Sequence, residues 1–109
     1  MYWLNGKPFY GNWWSYQKEK KDAVNVHEAV RLVSNHLVKP NIEVAVILPQ
    51  LSNHKYYYIY EAMEQQLPIK EVMKKNKLTE SQYFKNQKEF FLLFYELYKL
   101  REVNNIETR

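Results

Sequence analysis

The sequence predicts an all-α fold, a small helical domain, and three observations support this prediction. The chain has 109 residues, of which 46% are hydrophobic, and this suits a single domain with its own core. Its two glycines, Gly6 and Gly11, both lie near the start, so glycine interrupts no later segment. Apolar residues then recur at helical spacing along several stretches. We therefore expect a C-terminal helix-turn-helix, a long last helix and an irregular aromatic N-terminal arm.

The N-terminal arm is expected to span residues 1–21 and the helical domain residues 22–109. Asn5-Gly6 is typical of a tight hairpin turn, and aromatic residues flank it, so residues 1–17 should be irregular or form a small hairpin. The simplest expectation is that this arm packs on the helices. A second interpretation is that its rings form a stacking and phosphate-binding surface for single strands, together with Lys18, Lys20 and Lys21.

Three segments precede the helix-turn-helix. Apolar spacing predicts a first helix over residues 22–38, with Asp22 or Asn25 as its cap. Residues 41–48 are rich in β-branched side chains and suit either a strand or a short buried helix. Ser52 is expected to cap the helix that follows.

Residues 68–91 have the spacing of a helix-turn-helix. Pro68 suits the first turn of a short helix, and Thr79 with Gln82 matches the capping box that starts the next one. This last helix meets no helix-breaking residue before about Val103. The side chains expected to face inward are Ile69, Val72, Met73, Leu78 and Tyr83.

The front of the last helix carries hydrogen-bonding side chains, as contact with base edges in the major groove requires. The candidate base contacts are Ser81, Gln82, Lys85 and Asn86. The candidate phosphate contacts are Lys70, Lys74, Lys75, Lys77 and Lys88. A net charge of +4, and six lysines against three glutamates over residues 69–89, are compatible with a polyanion as partner. The pattern therefore predicts double-stranded DNA as the partner.

Residues 57–97 also carry a recognisable order of residue types. An aromatic-rich helix is followed by the matching residues Ile69, Glu71, Val72 and Met73, then Leu78, Thr79, Ser81, Tyr83, Phe84 and Lys85. This order is similar to sigma factor region 4, and most of all to the ArpU family of phage transcriptional regulators. Met73 stands where that family usually has alanine, and Asn76-Lys77 where it usually has leucine-glycine. The resemblance implies a DNA-binding regulator without enzymatic activity, with RNA polymerase as a further partner.

Behind its polar front, the last helix becomes almost wholly apolar. A helix that is hydrophobic nearly all round should be buried on both sides, and a chain this short offers little cover. We therefore expect a homodimer whose candidate seam is Phe91, Leu93, Phe94 and Tyr98. The alternative is that the N-terminal arm covers this helix within a monomer.

Two other functions fit the same pattern. A protein-interaction module could keep a degenerate helix-turn-helix for packing alone, since its apolar last helix offers a contact surface. A small terminase subunit, which takes part in DNA packaging, uses similar motifs. Binding to a promoter fragment or to a packaging-site fragment would distinguish transcription from packaging.

Catalysis, cofactor binding and membrane insertion are not expected. His27-Glu28 lacks the second histidine of an HExxH zinc site, and no glycine-rich loop is present to hold a phosphate. The chain has no cysteine, which favours a reducing, cytoplasmic location and rules out disulfides. No apolar run approaches the roughly 20 residues that a transmembrane helix needs.

Overall fold

The computed structural model describes residues 2–4 and 6–107, with side chains for residues 3, 4, 6 and 8–102. These residues form two strands and five helices, so the all-α prediction is confirmed. In chain order the elements are β1 (Tyr2–Leu4), β2 (Lys7–Phe9), α1 (Trp13–Val38), α2 (Ile42–Gln50), α3 (Tyr58–Glu64), α4 (Ile69–Lys75) and α5 (Glu80–Glu107).

The N-terminal strands form the small hairpin that the sequence offered as one possibility. They pair antiparallel, and the partners are Tyr2 with Phe9, Trp3 with Pro8 and Leu4 with Lys7. Gly6 in the turn has φ +78°, a left-handed conformation that glycine adopts readily. Asn5, the other residue of the expected turn, lies outside the described residues. Strand β1 packs against helix α1.

Helix α1 begins nine residues before the predicted start. The Asn12 side chain caps it by accepting a hydrogen bond from the Ser15 amide at 2.8 Å. Asp22, a predicted cap, lies inside the helix and pairs with Lys18 at 3.2 Å. The arm therefore ends near residue 12, and the lysine-rich segment predicted to belong to it is helical.

The segments between α1 and α4 correct a second prediction. Residues 41–48, which suited either a strand or a helix, belong to α2, and Asn41 caps it by accepting from the amides of Glu43 and Val44. The helix expected to start at Ser52 starts only at Tyr58. The His54 ring accounts for the delay, because its Nδ1 accepts the Tyr56 amide at 3.0 Å and takes that amide out of helical pairing.

Helices α1 and α5 run side by side in the same direction, and α2 packs on both. Lys88 of α5 reaches Glu19 in the first half of α1, and Arg101 near the described end of α5 pairs with Glu43 at the start of α2. The core lies between these helices. Its most completely buried large side chains are Val33, Val44, Ile47, Ile59, Phe90, Phe91 and Phe94.

The core also corrects the predicted dimer seam. Phe91 and Phe94 are completely buried within the chain, so a second copy cannot contact them in this conformation. Leu93 and Tyr98 are half-buried and pack against the same core. Helices α1 and α2 cover the apolar part of α5 within the chain. The alternative prediction assigned this cover to the N-terminal arm, whose strand β1 packs on α1.

Candidate nucleic-acid interface

The turn between α4 and α5 has the hydrogen bonds of a Schellman motif. The Leu78 amide donates to the Met73 carbonyl at 2.8 Å, and the Lys77 amide donates to the Lys74 carbonyl at 3.3 Å. Lys77 itself has φ +55°, in the left-handed region where glycine is usual. This turn ends α4 and leaves only four residues, 76–79, before α5 begins.

Asn76-Lys77 therefore forms the turn without a glycine. The Asn76 side-chain amide donates to the Val72 carbonyl at 2.8 Å, and the Asn76 backbone amide donates to the same carbonyl at 3.1 Å, so Asn76 holds the end of α4 with two hydrogen bonds. Lys77 lacks glycine's freedom, and a non-glycine residue in this conformation costs about 1–2 kcal/mol. The turn thus keeps a lysine at a position where glycine would be more stable.

Helix α5 starts with the predicted capping box. The Gln82 amide donates to the Thr79 hydroxyl at 3.2 Å, and the Thr79 amide donates to the Gln82 side-chain oxygen at 2.9 Å. Tyr83, the next inward residue, is buried, and burial raises the pKa of its phenol. These contacts fix both the start of α5 and its rotation about its axis.

The other expected inward residues divide into two groups. Val72 is buried, and Met73 and Leu78 are half-buried against the core. Ile69 is 44% exposed, so the prediction that it faces inward is wrong. Ile69 occupies the first position of α4, where the helix has only begun to approach the core.

The four candidate base contacts do not share one environment. Ser81, Gln82 and Lys85 are exposed, whereas Asn86 is half-buried and donates to the Tyr58 hydroxyl at 3.2 Å. The capping box holds the Gln82 side-chain oxygen toward the Thr79 amide, so its NH₂ group is the donor that Gln82 can offer to a base. The exposed face at the front of α5 therefore offers mainly Ser81 and Lys85.

The five candidate phosphate contacts also divide. Lys70, Lys74, Lys75 and Lys77 are exposed, and none has a carboxylate within 4.0 Å among the described residues. Lys88 instead lies 2.7 Å from Glu19 and 3.8 Å from Asp22, both on α1. Lys88 thus holds α5 against α1, and we leave it and Asn86 out of the contact set.

Unpaired lysines are concentrated around the turn. Among the side chains that the structure describes, eight lysines have no carboxylate within 4.0 Å, and five of these fall between residues 70 and 85. Over the same stretch the chain has two glutamates, Glu71 and Glu80. The excess of positive charge here is therefore not neutralised by the described part of the fold.

Two residues that matter for this surface had no signal in the sequence. Tyr58 holds Asn86 from 28 positions away, and Glu19 holds Lys88 from 69 positions away. No local pattern links such distant positions, so only the packing of α1 and α3 against α5 reveals them.

Comparison with known protein families, curated proteins and solved structures finds no match for this chain. Within residues 2–4 and 6–107, no helix is long and apolar enough to cross a membrane. The same residues contain no group of three or more acidic or histidine side chains placed to hold a metal ion.

Proposed function

We propose that this protein binds double-stranded DNA in a sequence-specific manner, with the front of α5 in the major groove. The observation that carries the proposal is the group of exposed, unpaired lysines on α4 and the turn, which directly precedes the exposed Ser81 and Lys85 at the front of α5. Major-groove recognition needs an exposed helix front with polar side chains, flanked by cations that contact the backbone.

The phosphate contacts in this proposal are Lys70, Lys74, Lys75 and Lys77. Each neutralised phosphate releases a condensed counterion, so affinity falls as salt rises. For about four contacts, a fourfold rise in salt should weaken binding on the order of 100-fold. Lys77 belongs to this set because it is exposed and unpaired among the described residues and lies in the turn that leads into α5.

The base contacts are Ser81 and Lys85, with the Gln82 NH₂ group as a third donor. A serine hydroxyl donates or accepts, and a lysine donates to guanine O6 and N7, so the face can distinguish base pairs. Each good base contact contributes about 1–3 kcal/mol of discrimination. Tyr83 and the capping box keep this face fixed relative to the core.

The resemblance to the ArpU family supports a finer proposal, a role in transcription with RNA polymerase as a partner. Asn76-Lys77 departs from the family pattern but forms a tight turn, and this agrees with a helix-turn-helix that retains its shape. A homodimer would need a surface other than Phe91 and Phe94, because these rings lie in the core.

The test begins with selection of bound sequences from random duplexes. Affinity for the selected duplex is then measured by fluorescence anisotropy for the wild type and for Lys85→Ala. We expect the variant to bind about 5- to 150-fold more weakly, which corresponds to the loss of about 1–3 kcal/mol. Lys39→Ala is the matched control, since Lys39 is also exposed and unpaired among the described residues but follows the far end of α1.

A second variant separates phosphate from base contacts. Replacing Lys74 and Lys75 with alanine should weaken binding to every duplex and reduce the salt slope by about two units, one for each contact. If no sequence is enriched, or if Lys85→Ala and Lys39→Ala bind alike, the proposal fails. Two-fold symmetry in the selected sequence would indicate that two copies bind together.

A further inference from the structure

A second surface of the protein exposes an unusual amount of aromatic ring. All three tryptophans of the chain, Trp3, Trp13 and Trp14, lie in the hairpin and the first turn of α1, and each is at least half exposed. Tyr10, between them, is 81% exposed. Large aromatic side chains left in water mark an interaction surface when they adjoin one another. Here the Trp13 ring lies 6.3 Å, centroid to centroid, from the Tyr16 ring.

This surface contains a recess of about 400 Å³ between β1 and α1. The α1 side chains that line it follow the spacing of one helical stripe and are Tyr16, Lys20, Ala23, Val24 and His27. Trp3 and Leu4 of β1 form the opposite wall. The recess therefore lies between Trp3 on one wall and Tyr16 and Lys20 on the other.

The charge at this recess is positive. Lys20 has no carboxylate within 4.0 Å among the described residues, and the same holds for its neighbour Lys21. The nearby carboxylates are already used: Asp22 pairs with Lys18, and Glu19 pairs with Lys88. An anionic ligand at the recess would therefore meet a free lysine.

We propose that the hairpin and the first half of α1 bind single-stranded nucleic acid. An unpaired base stacks on the exposed Trp3 ring at the recess, and Lys20 contacts the phosphate backbone. Every base has a π-face, so aromatic rings combined with cations hold single strands with little sequence preference. In a duplex the base faces are already stacked on each other, which is why the ligand is a single strand.

The types of exposed side chain favour a nucleic acid over a lipid surface. A helix that binds a membrane surface buries a broad aliphatic face below the headgroups. At this recess the exposed apolar side chains are the Trp3 ring and Val24, so a single aliphatic side chain is exposed among the lining residues. The surface uses none of the lysines of α4 and α5, so it does not depend on the duplex-binding proposal.

The test measures binding of a fluorescent thymidine oligonucleotide of about 20 nucleotides, a length that spans at least one site of known strand-binding domains. Trp3→Ala should bind about 5- to 150-fold more weakly, as expected for the loss of one stacked base. Trp3→Tyr, which keeps a stacking ring, should recover most of the affinity. Lys20→Ala should weaken binding less and lower its salt dependence by about one unit.

Matched controls are Phe84→Ala, which removes a 45% exposed ring outside this recess, and Lys39→Ala, which removes an unpaired lysine at the far end of α1. Both should bind the oligonucleotide like the wild type. The thermal midpoint of each variant shows whether the fold is retained, and Lys20→Ala tests the site even if Trp3→Ala disturbs the hairpin.

Several outcomes would overturn the proposal. One is no oligonucleotide binding at low salt, and another is equal binding by Trp3→Ala and wild type. A third is Trp3-dependent binding to phosphatidylserine vesicles without oligonucleotide binding, which would assign the surface to lipid. The two proposals fail separately, because Lys85→Ala should affect the selected duplex alone and Trp3→Ala the single strand alone.

Discussion

Helix α5 is one continuous helix, but its front, residues 80–87, and its back, residues 88–102, meet different surroundings. In the back, Phe90, Phe91 and Phe94 are completely buried beneath α1 and α2. In the front only Tyr83 is buried, and Ser81 and Lys85 are exposed. The contrast shows how one helix can hold a core together and still present a polar face, because its neighbours cover only part of its length.

The front and the back of α5 also differ in how many of their charged side chains are paired. Toward the back, Glu89 lies 3.9 Å from Lys55, and Arg101 pairs with Glu43. At the front, Lys85 has no carboxylate partner among the described residues. Exposed ion pairs contribute only about 0–1 kcal/mol each to stability. Their main effect here is to neutralise the back of α5 and leave its front positive.

The largest expected effect tests the difference in burial directly. Phe90→Ala should lower the free energy of unfolding by about 3–5 kcal/mol, since the ring is completely buried against His54 and Phe91. Phe84→Ala is the matched control at the front of α5. It should lower the free energy of unfolding by about 1 kcal/mol, because that ring is already 45% exposed. Urea unfolding of both variants measures the free energy of unfolding. Equal losses of that free energy would mean that the front and the back of α5 are buried to the same extent.

The next largest effect is the loss of stability at alkaline pH, which should differ between two buried tyrosines, Tyr60 and Tyr83. Burial, with a hydrogen bond to Glu64, raises the pKa of Tyr60 to about 12, from an ordinary value of 10.0. The folded state therefore favours the protonated phenol. This stability is complete below pH 10 and is lost as pH rises to about 12, a total of about 2–3 kcal/mol with roughly half of it gone by pH 11.

Two phenylalanine variants check this expectation. Tyr60→Phe removes the titrating phenol of α3, and Tyr83→Phe removes the phenol at the front of α5. Burial raises the pKa of the Tyr83 phenol as well. The fall in unfolding free energy between about pH 8 and pH 11 should shrink more in Tyr60→Phe. An unchanged fall in Tyr60→Phe would show that its phenol titrates alike in the folded and unfolded chain.

The smallest expected change in stability concerns the turn between α4 and the front of α5. Lys77 and Gln66 occupy equivalent positions in two Schellman turns, and both have positive φ, +55° and +59°. Replacing either with glycine should stabilise the fold by about 1 kcal/mol, because the left-handed strain is relieved. Only Lys77→Gly should also weaken duplex binding. If Gln66→Gly weakens it equally, Lys77 makes no phosphate contact of its own.

The parts of the fold that the sequence predicted well depend on neighbours in the chain. The capping box joins Thr79 to Gln82, three residues apart, and the α4 helix follows Pro68 as expected. The start of α1 was missed because Asn12 is followed by two tryptophans, which gave no helical pattern. The late start of α3 was missed because it depends on one side chain, His54, taking one amide.

The sequence by itself determined the short helix after Pro68, the capping box that starts α5 and the polar front of α5, since these depend on contacts within about four residues. Only the tertiary structure decided which polar groups remain available. Asn86 and Lys88 look like Ser81 and Lys85 along the chain, yet Tyr58 and Glu19 hold the first pair and nothing among the described carboxylates holds Lys85. Packing of distant segments sets burial and pairing, and no local spacing encodes them.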